Sequence, residues 1–282
     1  MRSKRILMVL LAFSCCAAVF LFAEGPLSLH EKPAVTYFPE SSAIVYHQRQ
    51  TQLDLDPQTG QMSWRVQSDV NRPVFLLQNF SLLYRNNRLI AVINDWRSQT
   101  ASLAETKGLT SRPGFYQALS VHHAEEHHDD QPFGKEAVSG DRLFIGQNQE
   151  GWFAFRKPKT DEEARWKEQS LAHIANERSQ IIKQARTRFA VDPSHYRLIP
   201  LSELSDATIP IVFPFGEANA RRIVAQLWEG IYKTVVRGIQ ITPDERRSAI
   251  GSSMPILLIG QDHLLVIIRA GDGRLSLLKQ IY

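Results

Sequence analysis

The chain has 282 residues, 43% hydrophobic and 22% charged, which is enough apolar material for a sizeable core and too much for wholesale disorder. Its formal net charge is +4, but Arg2, Lys4 and Arg5 stand in a stretch, residues 1–23, without a single carboxylate. The remainder is within about one charge of neutral, which argues against a nucleic-acid partner, and the confinement of both cysteines to Cys15 and Cys16 leaves the rest of the chain without a disulfide, a thiolate zinc site or a cysteine nucleophile.

The basic start is followed by an uncharged run from Ile6 to Ala23. As a helix it would cover about 27 Å, close to the roughly 30 Å of a bilayer's hydrocarbon layer. Residues 6–23 therefore read as a single membrane anchor, with the basic end in the cytoplasm and everything after it outside. Cleavage as a signal peptide, giving a secreted protein, is the alternative. A cut after Ala23 would place Leu21 where a small residue is preferred. A lipid-modified Cys15 or Cys16 is a third option. Residues 24–42 carry Pro26, Pro33 and Pro39 without a period and read as an extended tether.

From residue 43 to 157 the pattern is short and two-periodic. Met62, Trp64 and Val66 alternate with Ser63, Arg65 and Gln67, after a turn at Pro57-Gln58-Thr59-Gly60. Val74–Tyr84 and Leu89–Trp96 flank Asn86-Asn87, a pair suited to a tight hairpin turn. Phe115–Val121, Arg142–Ile145 and Trp152–Phe155 are further strands, with Trp64, Trp96 and Trp152 expected in the core.

Residues 158–282 add helices. Thr160 and Glu163 form a capping-box signature for a helix ending near Phe189. Leu171, Ile174, Ile181, Ile182, Ala185 and Phe189 make its apolar stripe, interrupted by Arg178. A second helix is expected over Glu217–Val236, stopped by Gly238. Pro255–Ile259 and Leu264–Ile268 are apolar enough to be strands buried on both faces, and Leu275–Ile281 closes a terminal β-hairpin across Gly271-Asp272-Gly273. The expected class is α+β: an antiparallel, sheet-rich N-terminal half, then two main helices and a terminal β-hairpin. Residues 43–282 form either one domain or two.

Chemistry concentrates at Val121–Asp130, where four histidines stand beside four carboxylates. On a helix, His123, Glu126, His127 and Asp130 share one face, a donor set for zinc or another divalent metal. His123-Ala124-Glu125-Glu126-His127 also matches H-x-x-E-H, in which Glu126 would be a general base. In an extended strand His122, Glu126 and His128 fall on one side and His123, Glu125, His127 and Asp129 on the other. In a polar loop or edge strand the same residues simply keep the surface soluble. Only Ala124 is apolar between His122 and Gln131, which gives a catalytic helix no side to dock. No nucleotide-binding glycine motif and no nucleophile elbow is present.

Asn79-Phe80-Ser81-Leu82-Leu83-Tyr84 through Trp96, His122-His123-Ala124-Glu125, Gln226-Leu227-Trp228-Glu229-Gly230-Ile231-Tyr232 and Gly251-Ser252-Ser253-Met254-Pro255-Ile256 resemble a group of uncharacterised membrane-anchored or secreted proteins of Bacillus-type bacteria. The resemblance brings no activity and no functional residues. The expectation is a membrane-tethered, extracytoplasmic, non-enzymatic protein that binds or senses something at the cell envelope, without a cofactor. The alternatives are a metal-dependent hydrolase on His123, Glu126 and His127, and a structural subunit that docks on an envelope protein partner through the long helix.

Overall fold

The structure, a computed structural model, describes residues 39–128 and 131–282. The anchor and most of the tether lie outside the described residues. The described residues fall in one compact unit.

The N-terminal half is built from long antiparallel strands: β1 (Tyr46–Leu55), β2 (Gln61–Arg85), β3 (Arg88–Thr110), β4 (Gly114–His128), β5 (Gln131–Asn148) and β6 (Gly151–Phe155). β2 is the organising strand. Its first half pairs with β1 and its second half with β4, while β3 follows it along its other edge. The change of partner occurs where the register slips, between Asp69 and Val74. Pro73 falls in that gap, and a proline cannot donate to a ladder. β4 then pairs with β5 from end to end.

β1 closes the sheet against β5 through side chains. Thr51 Oγ1 meets Ser139 Oγ at 2.6 Å, and Asp141 Oδ2 accepts the Leu53 amide at 2.8 Å. The Leu53 carbonyl accepts from Arg156 Nη2 at 2.7 Å, and Arg156 also holds Asp141. The outward amide and carbonyl of Leu53 are thus satisfied without a ladder.

The interior of this four-strand barrel is layered. Leu53, Trp64, Val66, Tyr116, Ala118, Leu143 and Ile145 fill one end, and Ile44, Val70, Val74, Leu76 and Ala124 the other. Between them lies a buried polar band. Thr51 donates to Ser120 at 2.6 Å, so Ser139 must donate to Thr51. His122 Nε2 then donates to Ser139 at 2.7 Å, and Nδ1 accepts from Ser68 at 2.6 Å. Each hydroxyl has one proton, so a single choice orders the chain and fixes one tautomer of a neutral imidazole.

The C-terminal half packs on the outside of the barrel. α1 (Asp161–Phe189) is capped by Thr160, whose Oγ1 accepts the Glu163 amide at 3.2 Å; Glu163 reaches back to the Lys159 amide at 2.5 Å. β7 (Arg197–Pro200), the short α2 (Ile209–Val212) and α3 (Glu217–Ile231) follow, and α3 runs into a π-turn over Tyr232–Val236. β8 (Ile239–Thr242) and β9 (Glu245–Arg247) form a small ribbon. β10 (Ile256–Ile259), β11 (His263–Arg269) and β12 (Leu275–Ile281) join β7 in a sheet of order β12-β11-β10-β7. That sheet is covered on both faces. Leu258 and Ile267 meet Ile181 and Ala185 of α1, and Leu257 and Val266 meet the cluster of α3. The same cluster takes in Phe80, Leu82, Leu119 and Val121 from the barrel wall. One core therefore runs across residue 157.

The balanced α+β layout is corrected. About 52% of the described residues are strand and 25% helix, around the closed four-strand barrel. The strands of the first half run past the expected segments, through polar ends that carry no apolar pattern. Arg97–Thr110 and His122–His128 continue β3 and β4 as ribbon beyond the apolar runs. Trp96 is a second correction: it stands 62% exposed on β3, outside the core. On α1 the buried positions are Ile174, Glu177, Ile181 and Ala185, so a carboxylate takes the place expected for Arg178, and Leu171 is exposed. Asn86 (φ 48°) and Asn87 (φ 66°) form the expected turn, with the positive angles that asparagine tolerates.

Candidate functional site

The Val121–His128 segment is strand, paired with β2 on one side and β5 on the other. The helical face of His123, Glu126, His127 and Asp130 is therefore not formed, and Asp130 lies outside the described residues. Alternation sends His122 and Ala124 into the barrel and His123, Glu125 and His127 to its outer wall. His122 is wholly buried in the polar band. Burial, with a smaller contribution from Arg49, pulls it down to about 4, so it is neutral at physiological pH.

Glu126 turns away from the outer wall, to the Ser41 hydroxyl and to Arg72 Nη2 at 3.0 Å. His123, Glu125 and His127 share the outer face. Glu125 stands 3.5 Å from His123 Nε2 and 2.5 Å from His127 Nε2. Glu136, directly across the ladder, is 3.4 Å from His123 Nδ1. Burial alone would lower His123, but its bonds to Glu125 and Glu136 outweigh that and push it up to about 9. At neutral pH the ring is cationic, so it neither takes a proton as a base nor offers a lone pair to a metal. Glu125 is correspondingly held below the usual carboxylate range by His123, against an opposing effect of burial. Among the described residues, no group of three or more His, Cys, Asp or Glu is arranged to hold a metal ion.

These residues form one wall of a cleft of about 680 Å³ between the barrel and the α2–α3 segment. β4 and β5 contribute His123, Glu125, Lys135 and Glu136, β1 contributes Tyr46 and Arg49, and α3 contributes Ala220, Arg221, Val224, Ala225, Trp228 and Glu229. Trp228 is almost fully buried and meets Phe80 edge-on at 6.0 Å. The cleft thus has an apolar floor and a charged rim. The rim is internally paired: Arg49 with Asp206 at 2.9 Å, Arg221 with Glu217 at 2.5 Å, and Glu229 with Lys233 at 2.5 Å.

Glu40 completes the rim. Its carboxylate bridges Lys135 of β5 and Arg221 of α3. The backbone brings it there: the Gly134 amide donates to the Pro39 carbonyl and the Ser41 amide to the Gly134 carbonyl, both at 2.9 Å. In sequence, Glu40 is one carboxylate at the end of a proline-spaced stretch, and Arg221 one half of an Arg-Arg pair that reads as a solvated face. No linear spacing relates them. Pro39 beside Glu40 is the one local hint, since proline favours an extended segment able to add to a sheet edge.

No protein-family model and no curated protein matches the chain. Among solved structures, the apo structure of Bacteroides uniformis beta-glucuronidase 3 matches 40% of this chain and 14% of that chain, with 10% identity and a TM-score of 0.23. That likeness is too slight to define a shared fold. Among the described residues, no helix is long and apolar enough to cross a membrane.

Proposed function

We propose that the chain is a membrane-tethered, extracytoplasmic protein that binds or senses a small ligand at the cell envelope without transforming it. The observation that carries this reading is the cleft itself. Its volume of about 680 Å³ falls in the range of small-molecule sites, and it joins an apolar floor to a few fixed polar groups. The wall histidine is a clamped cation between Glu125 and Glu136 rather than a base beside a nucleophile. The basic start, the uncharged run of residues 6–23 and the proline-spaced residues 24–38 support the tether and its orientation.

The test is NMR of the isotopically labelled full-length chain in detergent micelles, with protein and ligand signals both followed, against a panel of charged metabolites with apolar bodies. The reading expects at least one that binds unchanged and shifts the Trp228 indole resonance. Chemical conversion of a bound compound, or binding that leaves Trp228 unmoved, contradicts it. Fractionation of cells that make the chain with its own N-terminus tests the tether. The folded part should sediment with membranes and be open to protease from outside; recovery entirely in the medium contradicts the anchor.

A further inference from the structure

We infer that Lys135 and Arg221 form an anion subsite at the mouth of the cleft, filled by the chain's own Glu40 and taken over by the carboxylate of a ligand. The inference rests on the binding reading above and names the ligand's chemical class.

The geometry is that of a carboxylate receptor. One Glu40 oxygen meets the Lys135 ammonium and the other the Arg221 guanidinium, so both oxygens are held by cations from two separate elements. Arg221 is oriented for this by Glu217, which accepts from its other terminal nitrogen at 2.5 Å. A planar anion between an ammonium and an oriented guanidinium is how proteins recognise carboxylates. Burial would raise Glu40, but the two cations together outweigh it and hold the carboxyl below its ordinary range.

Glu40 is held in a replaceable way. Among the described residues, the segment around it is held by a parallel bridge to β5, made of the two hydrogen bonds at Gly134, and by the side-chain bond from Ser41 to Glu126. The chain is fixed independently just beyond it. Asn71 accepts the Val45 amide and donates to the Ala43 carbonyl, each at 2.9 Å. Residues 39–42 can therefore lift from β5 about Ala43 while β1 stays in register. The ion pairs are part-exposed, with side-chain exposures of 35% for Glu40, 29% for Lys135 and 47% for Arg221. Pairs this open contribute little net stability, so an incoming carboxylate exchanges like for like. Its apolar body would lie on Val224 and Trp228, below the rim.

The experiment is isothermal titration of the full-length chain in detergent micelles with glutarate, and with glutaramide as its uncharged control. Glutarate should bind the Glu40→Gln variant at least tenfold more tightly than the unaltered chain, because the internal competitor is gone. Adding Arg221→Ala to Glu40→Gln should abolish that gain, and glutaramide should show no difference among the three. In the unaltered chain, saturating glutarate should speed hydrogen exchange of the Ser41 and Gly134 amides as the bridge opens. Equal glutarate affinity with and without Glu40→Gln, no glutarate binding to either, or unchanged exchange at Ser41 and Gly134 overturns the subsite. A compound that shifts the Trp228 resonance while glutarate fails these tests would leave the binding reading standing and remove this one alone.

Discussion

Asn87 Nδ2 donates to Glu177 Oε2 at 2.8 Å, and so fastens the tip of the β2–β3 hairpin to the middle of α1. The other carboxylate oxygen takes Arg88 Nη2 at 2.5 Å and also Arg269 of β11. One buried carboxylate thus joins the barrel, the long helix and the C-terminal sheet. The hairpin tip is tied to the same region by its backbone, through Leu89 to Ser252 at 2.9 Å and Gly251 to Leu89 at 2.8 Å.

Replacing Glu177 by alanine should cost about 3 kcal/mol of unfolding free energy, because Arg269 is left buried without its partner. Adding Arg269→Met should recover a large part of the loss. Urea unfolding of the two variants checks this. A loss under about 0.5 kcal/mol for Glu177→Ala would mean that the junction carries no stability.

Two adjacent histidines should give stability opposite pH dependences. Both titrate near 6.5 when unfolded. His122 falls to about 4 in the folded protein, so the unfolded chain binds its proton more readily, and stability is lost as pH falls from about 6.5 towards 4. His123 rises to about 9, so its contribution is complete below 6.5 and is lost as pH rises from there to about 9. Each arm has a limiting slope of about 1.4 kcal/mol per pH unit. Unfolding free energies across this range should peak near pH 6.5. His122→Asn should flatten the acid arm and His123→Gln the alkaline one; a single shared arm would contradict the assignment.

The β1–β2 turn depends on Gly60. Its φ of +69° suits glycine, and a Cβ there would lie 2.4 Å from the Trp152 indole nitrogen. Gly60→Ala should therefore destabilise by about 2 kcal/mol, from backbone strain and displacement of Trp152 together. Thermal unfolding of Gly60→Ala beside Gly60→Ala/Trp152→Ala separates the two, since removing the indole should return only the steric part.

Local chemistry was the legible part of this sequence. Asn86-Asn87, Thr160 with Glu163, the end of α1 at Phe189 and the doubly buried Ile256–Ile259 and Leu264–Ile268 all follow from short patterns. The barrel was illegible for a physical reason. Its interior carries a polar band, with buried Thr51, Ser68, Ser120 and His122 and half-buried Ser139 where alternation would demand apolar residues. That band breaks the period-two signal in the middle of the strands, and the bulges near Pro73 break it again. The His-rich stretch was legible as composition and illegible as geometry, because a ligand set depends on which side of a pleat each residue takes. His123 and Glu125 do reach the cleft wall, whereas Glu126 turns away. Glu177 went unseen because a carboxylate in an apolar stripe reads as the edge of the stripe until its two arginines are brought to it.

The central claim is that the cleft between the barrel and α3 holds the ligand, and blocking it is the most direct test. Ala225 lines the cleft on α3 and is half-exposed, so Ala225→Trp should fill the space without disturbing the core. The measurement is the thermal midpoint of the full-length chain with and without a compound found by the NMR screen. The account predicts a rise of several degrees for the unaltered chain at about 100 times the dissociation constant, and no rise for Ala225→Trp. An equal rise in both proteins would place the ligand elsewhere and contradict the account.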